Sequence, residues 1–277
     1  MQPIVPDPSR EGDEGEVNFL SPLTSPLLFT IRRLPAQGAA VRGIMGRPLI
    51  RAGWVGVAVI ILSVSLLCIF PARTQSNIDG LFTPIIAFEF IQTSQEVYQL
   101  FGSQASPERD AMVRAMDRGN HLDFAYMILY SFFLFTFSVL GARESGIRVL
   151  YLGTALSVVI LLGDFFENIQ LLGITANLAT GDFEEELRHL PLFTWQKWGG
   201  IAAIFLLLFA YFRRGTVFSR IIGTWGVVTA LLAIVSFLNR SVVNEVFSLA
   251  VALQFLLMII FCFTHRAKIS PEGFHNP

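Results

Sequence analysis

The sequence predicts an all-α fold, a polytopic transmembrane helix bundle of about six spans with an interfacial helix between spans one and two. Three observations predict it. Hydrophobic residues make up 53% of the 277 and charged residues only 15%, against roughly 25% charged in soluble domains. Mean hydropathy is +0.58. Six runs approach the ~20 apolar residues that a bilayer core requires, and arginines gather in alternate connections between them. The formal net charge of −1 supplies no bulk field for nucleic acid, so the expected partner is the lipid bilayer, with no nucleic acid. Zinc-finger spacing, a Walker loop and GxGxxG are absent, and the cofactor is left unknown.

Residues 1–44 read as a disordered cytoplasmic tail, charged from Asp7 to Glu16 and broken by Pro22 and Pro26; such a stretch buries too little apolar surface to offset its ordering entropy. Met45 opens a cleaner start, MGRPLIRAGW, so the tail also reads as an upstream extension before the true start. Residues 45–268 form the expected transmembrane domain, and 269–277 a short cytoplasmic tail.

Ala52 to Phe70 is the first span, an uncleaved anchor because no small-x-small site follows it. Pro84 to Phe101 reads as one helix, Pro84 suiting its first turn. Ile85, Ile86, Phe88, Phe90 and Ile91 make it too apolar for a free loop, so it is expected at the interface, with Glu89 among those residues. Ser106 to Gly119 reads as a separate charged helix. The remaining spans are His121–Ala142, Ile147–Ile174, Leu190–Phe212, Phe218–Leu238 and Val243–Thr264, with an acidic loop from Gly181 to His189 before the fourth. Arg42, Arg47 and Arg51, Arg143 and Arg148, Arg213, Arg214 and Arg220, and Arg266 with Lys268 all fall on one side. The positive-inside rule makes that side, and both termini, cytoplasmic. Cys68 and Cys262 then lie at opposite faces, as apolar filler.

Charged groups inside spans are costly, so each needs a partner or a purpose. Asp164, Glu167 and Asn168 are spaced i, i+3, i+4 and share one helix face, opposite Leu161, Leu162, Phe165, Phe166, Ile169 and Leu172. At 1.5 Å per residue, Asp164 stands roughly 25 Å along its span, and Lys197 some 10 Å below the start of the next, about level with it. Asp123 opens the second span on the same outer side, Glu89 belongs to an outer connection, and Glu245 is a first-turn carboxylate favoured by the helix dipole. The candidate site, a ligand-binding or ion-pair cluster in the outer half, is therefore Glu89, Asp123, Asp164, Glu167, Asn168 and Lys197. As a metal site it would offer oxygen ligands to a hard cation, with His121 as a weak further candidate.

Phe88-Glu89-Phe90 with Thr93, His121-Leu122-Asp123-Phe124 with Tyr126 and Tyr130, Gly163-Asp164-Phe165-Phe166-Glu167-Asn168, and Lys197-Trp198 together resemble a group of small bacterial multi-pass membrane proteins. That group shares FE(L/F), LD(F/Y), an intramembrane (A/G)DxxEN and a late lysine in this order. The resemblance covers about residues 84–210. It implies an architecture, a bacterial inner-membrane location and a shared polar site, but no activity.

Three functions stay open. The first is binding of a small ligand, lipid or cation at the outer-half cluster, with the Glu89 helix as a lid. The second is proton- or ion-coupled transport, which buried acid–base groups support but which lacks a relay through the inner half. The third is a structural or interaction protein whose charges only fix helix packing, with Gly153/Ser157 and Gly199/Ala203 permitting close contacts. No nucleophile or paired-His motif is present, so whether the protein is an enzyme is left open.

Overall fold

Helix boundaries follow local signals that the chain carries in plain form. Ser106 caps a helix by accepting from Arg109 N at 3.1 Å, Pro107 fits its first turn, and Gly146 ends it in the left-handed region at φ 71. The computed structural model describes residues 37–74, 78 and 80–265, with side chains from Pro48 onward. Among these it has eight helices and no strand: α1 (Gln37–Ile69), α2 (Pro84–Glu89), α3 (Ser94–Phe101), α4 (Pro107–Ser145), α5 (Tyr151–Ala176), α6 (Glu184–Phe212), α7 (Val217–Leu238) and α8 (Val242–Thr264). A single 3₁₀ turn, Arg148–Leu150, leads into α5. The tail expected over 1–44 lies outside the described residues as far as residue 36, and the helix already runs from Gln37. The tail at 269–277 is outside them too.

Among the described residues, six segments are long and apolar enough to cross a membrane: Pro48–Ile69 of α1, α4, Arg148–Ala176, α6, α7 and α8. Three boundaries differ from the sequence reading. The helix expected over Pro84–Phe101 is two helices. Thr93 accepts from Glu96 N at 3.3 Å while the Glu96 carboxylate accepts from Thr93 N at 3.2 Å and Gln92 N at 2.8 Å. That reciprocal box starts a new helix and stops the old one. The charged helix expected before span two is continuous with it: no proline interrupts the join, and Gly119 lies against the Phe70 ring, which an added Cβ would approach to 2.1 Å. The resulting 39 residues of α4 reach roughly 58 Å, about twice the ~30 Å of hydrocarbon. The acidic stretch read as a loop is largely the start of α6, whose first turn holds Glu184, Glu185 and Glu186, where the helix dipole favours negative charge.

The α4 overhang explains the apolar connection. Its Met112 and Met116 pack with Phe88, Ile91, Val97, Leu100 and Phe101, and with Leu171, Ile174, Phe183, Leu187 and Leu190 from the ends of α5 and α6. These residues form a second core, a helical cap over one end of the bundle, where the sequence reading places a single interfacial helix. The main core lies below it, around Phe133, Phe137, Phe205, Phe212, Phe255 and Phe261.

Helices α5 and α6 approach closely. A Cβ on Gly163 would stand 3.1 Å from the Lys197 backbone nitrogen, and one on Gly200 would stand 2.6 Å from Ile160. Of the small residues singled out in sequence, Gly153 faces α4, where an added Cβ would be 2.5 Å from Ser138 Oγ, whereas Gly199 has open space. The α5–α6 approach thus uses Gly163 and Gly200.

Candidate functional site

The Gly163 contact sets the site. It lays the Asp164/Glu167 face of α5 directly against the Lys197 turn of α6. Asp164, Glu167, Asn168 and Lys197 are buried, while Leu162, Phe165, Phe166 and Ile169 on the opposite face are exposed. Lys197 Nζ lies 3.3 Å from Asp164 Oδ1 and 3.0 Å from Glu89 Oε1, and it pairs with Glu167 Oε2. Glu89 arrives from above, at the last residue of α2, as the cap folds down over the bundle. One ammonium on α6 therefore joins three carboxylates, two from α5 and one from the cap.

Further bonds hold these groups. Tyr130 donates to Asp164 Oδ2 at 2.5 Å and Trp198 Nε1 donates to Glu89 Oε2 at 2.9 Å. Thr194 donates to the Glu89 carbonyl at 3.0 Å. The Lys197 ammonium sits 5.3 Å from the Trp198 ring centroid, within cation–π range. Asn168 donates to Asp123 Oδ2 at 2.7 Å, which brings the fifth and sixth candidate residues alongside. Burial raises the Glu89 carboxyl above its ordinary range, against the pull of Lys197. Glu167 is fully enclosed, and its Oε1 has no hydrogen-bond partner among the described residues.

His121 does not join. It is exposed, with Nδ1 2.6 Å from the Asp117 carbonyl oxygen on its own helix. Among the described residues no group of three or more His, Cys, Asp or Glu side chains is disposed to hold a metal ion. In the carboxylate cluster the ammonium of Lys197 occupies the position a cation would take.

The residues that pin the cap were not singled out as site residues in the sequence. Arg240, in the α7–α8 turn, donates to the Phe90 carbonyl at 2.8 Å and to Glu96 Oε2 at 3.0 Å, and also pairs with Glu96 Oε1. Glu245 does more than sit in a first turn. Its Oε1 accepts from Phe82 N at 2.9 Å and Thr83 N at 2.8 Å, just ahead of α2. Glu245 thus holds the start of α2 and Arg240 its end, which fixes Glu89 over Lys197. Thr194 and Trp198 had a readable signal, lying three residues before and one after Lys197 on one α6 face. The Arg240–Glu96 pair, separated by 144 positions, had none.

Beside the cluster is a cavity of about 380 Å³. Leu66 and Leu67 of α1 with Phe70 just after it, Ile85 and Ile86 of α2, and Leu249, Ala252 and Phe255 of α8 form its walls, and Glu89, Asp123, Asp164 and Lys197 its polar end. At the far end of the bundle a separate contact joins three helices. Tyr211 donates to Glu144 Oε2 at 2.7 Å, and His265 has Nε2 2.9 Å from Glu144 Oε1.

Among the described residues, six helices are long and apolar enough to cross a membrane and four of them, α4, α5, α6 and α8, carry buried charged residues, which defines a multi-pass integral membrane protein. No family model matches the chain, and no curated protein or solved structure matches it.

Proposed function

We propose that the protein binds a small amphipathic ligand or lipid in the outer half of the bilayer, in a bacterial inner membrane with both termini cytoplasmic. One observation carries the reading. An apolar cavity of about 380 Å³ ends on Glu89, Asp123, Asp164 and Lys197, within the ~300–1,000 Å³ typical of small-ligand sites, which pair apolar walls with a few convergent polar groups. The cap carrying Glu89 serves as the lid. The DxxEN resemblance supports a shared polar site in the same place. Transport draws less support, since Glu144 and His265 are at the opposite end from the cluster. The structural reading rests on the contacts of Lys197 with three carboxylates, and it gives the cavity no role.

The test is a cavity-filling substitution. Ala252 lines the cavity and is exposed, so Ala252→Phe occupies ligand space without overpacking the core. Wild-type protein purified in mild detergent is expected to carry about one amphiphile per chain by mass spectrometry of extracted lipid. Ala252→Phe is expected to lose it while keeping the apo protein within about 0.5 kcal/mol of wild type, as for other surface changes. Equal lipid content in the two proteins would sink the reading.

A further inference from the structure

We infer that the ligand of this cavity is a single-chain lipid with a cationic head group, drawn laterally from the bilayer; this rests on the reading above and names its substrate class. The route of entry follows from the walls. Near one end of the bundle, α1 and α8 touch. A Cβ on Gly56 would stand 2.4 Å from Ile259, and one on Gly53 would stand 2.8 Å from Phe263. Toward the cap both helices line the cavity instead. There its rim residues Leu67, Phe82 and Leu249 are 73%, 60% and 67% exposed, on a surface that faces hydrocarbon in a membrane. The opening is therefore apolar and lateral, suited to a chain already dissolved in lipid. A volume of about 380 Å³ is near the low end for small-ligand sites, which favours one chain over two.

The head group follows from charge. Glu89, Asp164 and Glu167 meet Lys197, and Asp123 lines the same cavity. Four carboxyl groups thus face one ammonium. Charges in a membrane interior are tolerated when paired, and the excess here is acidic. Asp123 is the open member of the set. It is half-buried, Asn168 engages its Oδ2, and no hydrogen bond to its Oδ1 is made among the described residues. An ammonium head at the polar end would complete the set, with Asp123 as its principal acceptor. An anionic head would meet Glu89, Asp123 and Asp164 without a free cation, because Lys197 is already engaged by its carboxylates.

Full-length protein in phosphatidylcholine nanodiscs, offered hexadecylamine, hexadecanol or hexadecanoate and read by native mass spectrometry, tests this. One hexadecylamine is expected to be retained about ten-fold or more tightly than hexadecanol, the gain that a charge-assisted hydrogen bond brings, with hexadecanoate weakest. Asp123→Asn is expected to erase most of that advantage, bringing hexadecylamine to within about three-fold of hexadecanol, and butylamine is expected not to be retained. Equal retention of the three long chains, or preference for the acid, overturns the cationic head and leaves the lipid-binding reading intact. Retention of none overturns both. Butylamine held as tightly as hexadecylamine overturns the bilayer origin. If Asp123→Asn does not fold, the wild-type ratio of the three chains decides alone.

Discussion

Lys197→Met is expected to cause the largest loss of stability of any single substitution in the site. It removes the only cation among the described residues that touches Glu89, Asp164 and Glu167 and leaves three carboxylates enclosed without it. Breaking a buried ion pair by deleting one partner costs about 3–5 kcal/mol, because an uncompensated charge remains. In a membrane interior the abandoned carboxylates have little access to water, so they must take up protons or expel the helix. The expected readout is a large drop in folded yield and in thermal midpoint in mild detergent. Glu167→Gln in the same chain is expected to restore much of the loss, since Glu167 is the most enclosed of the three acids. A Lys197→Met protein as stable as wild type would mean that the cluster is not held by this charge.

The second large effect is expected at Arg240→Ala, which does not line the ligand cavity but fastens the cap. Arg240 and Glu96 are 17% and 10% exposed at the side chain, and losing this pair should cost about 3 kcal/mol, the low end for a buried pair. Because the same arginine holds the Phe90 carbonyl, the loss should fall on α2 and α3 rather than on the bundle. Hydrogen exchange is expected to rise in residues 84–101 with the spanning helices unchanged. The pH dependence has a definite sign. Burial alone would raise the Glu96 carboxyl, but the hydrogen bond from Arg240 and the amides of Gln92 and Thr93 hold it below the ordinary carboxylate value of 4.5. A depressed carboxylate contributes stability in full above its unfolded value, and that contribution is lost as pH falls through the folded one. Wild-type cap protection should therefore persist to below pH 4.5. In Arg240→Ala the baseline is lower and acid brings a smaller further loss. Uniform exchange across cap and bundle, or a cap unaffected by Arg240→Ala, would contradict the fastening.

What could be read in advance depended on period and rise. The six spanning helices show as apolar runs, and a fixed 1.5 Å rise was enough to put Asp164 and Lys197 at one depth, where they meet at 3.3 Å. The i, i+3, i+4 spacing assigned the polar face of α5. The cap was not legible in this way. Thr93-Ser94-Gln95-Glu96 is a capping-box pattern, visible in the letters, but the apolar residues on both sides masked the break it makes. That the charged start of α4 continues into a spanning helix depends on the cap packing against it, a tertiary fact. Glu89 could be placed on the correct side but not over Lys197. Its position is fixed by Arg240 and Glu245 across more than 140 residues of chain, and no local pattern reports such pairing. The cavity is further still from the sequence, since it depends on where α1 and α8 touch and where they part.

The central claim is that this cavity, with its charged end, holds a ligand. Photoaffinity labelling with a long-chain amine bearing a diazirine on the chain tests it most directly. Adducts are expected to concentrate on Leu66, Phe70, Leu249 and Ala252, which line the cavity, and to be suppressed by excess unlabelled hexadecylamine. Adducts spread instead over exposed bilayer-facing positions such as Leu152, Leu206 and Leu231, and insensitive to competitor, would contradict it.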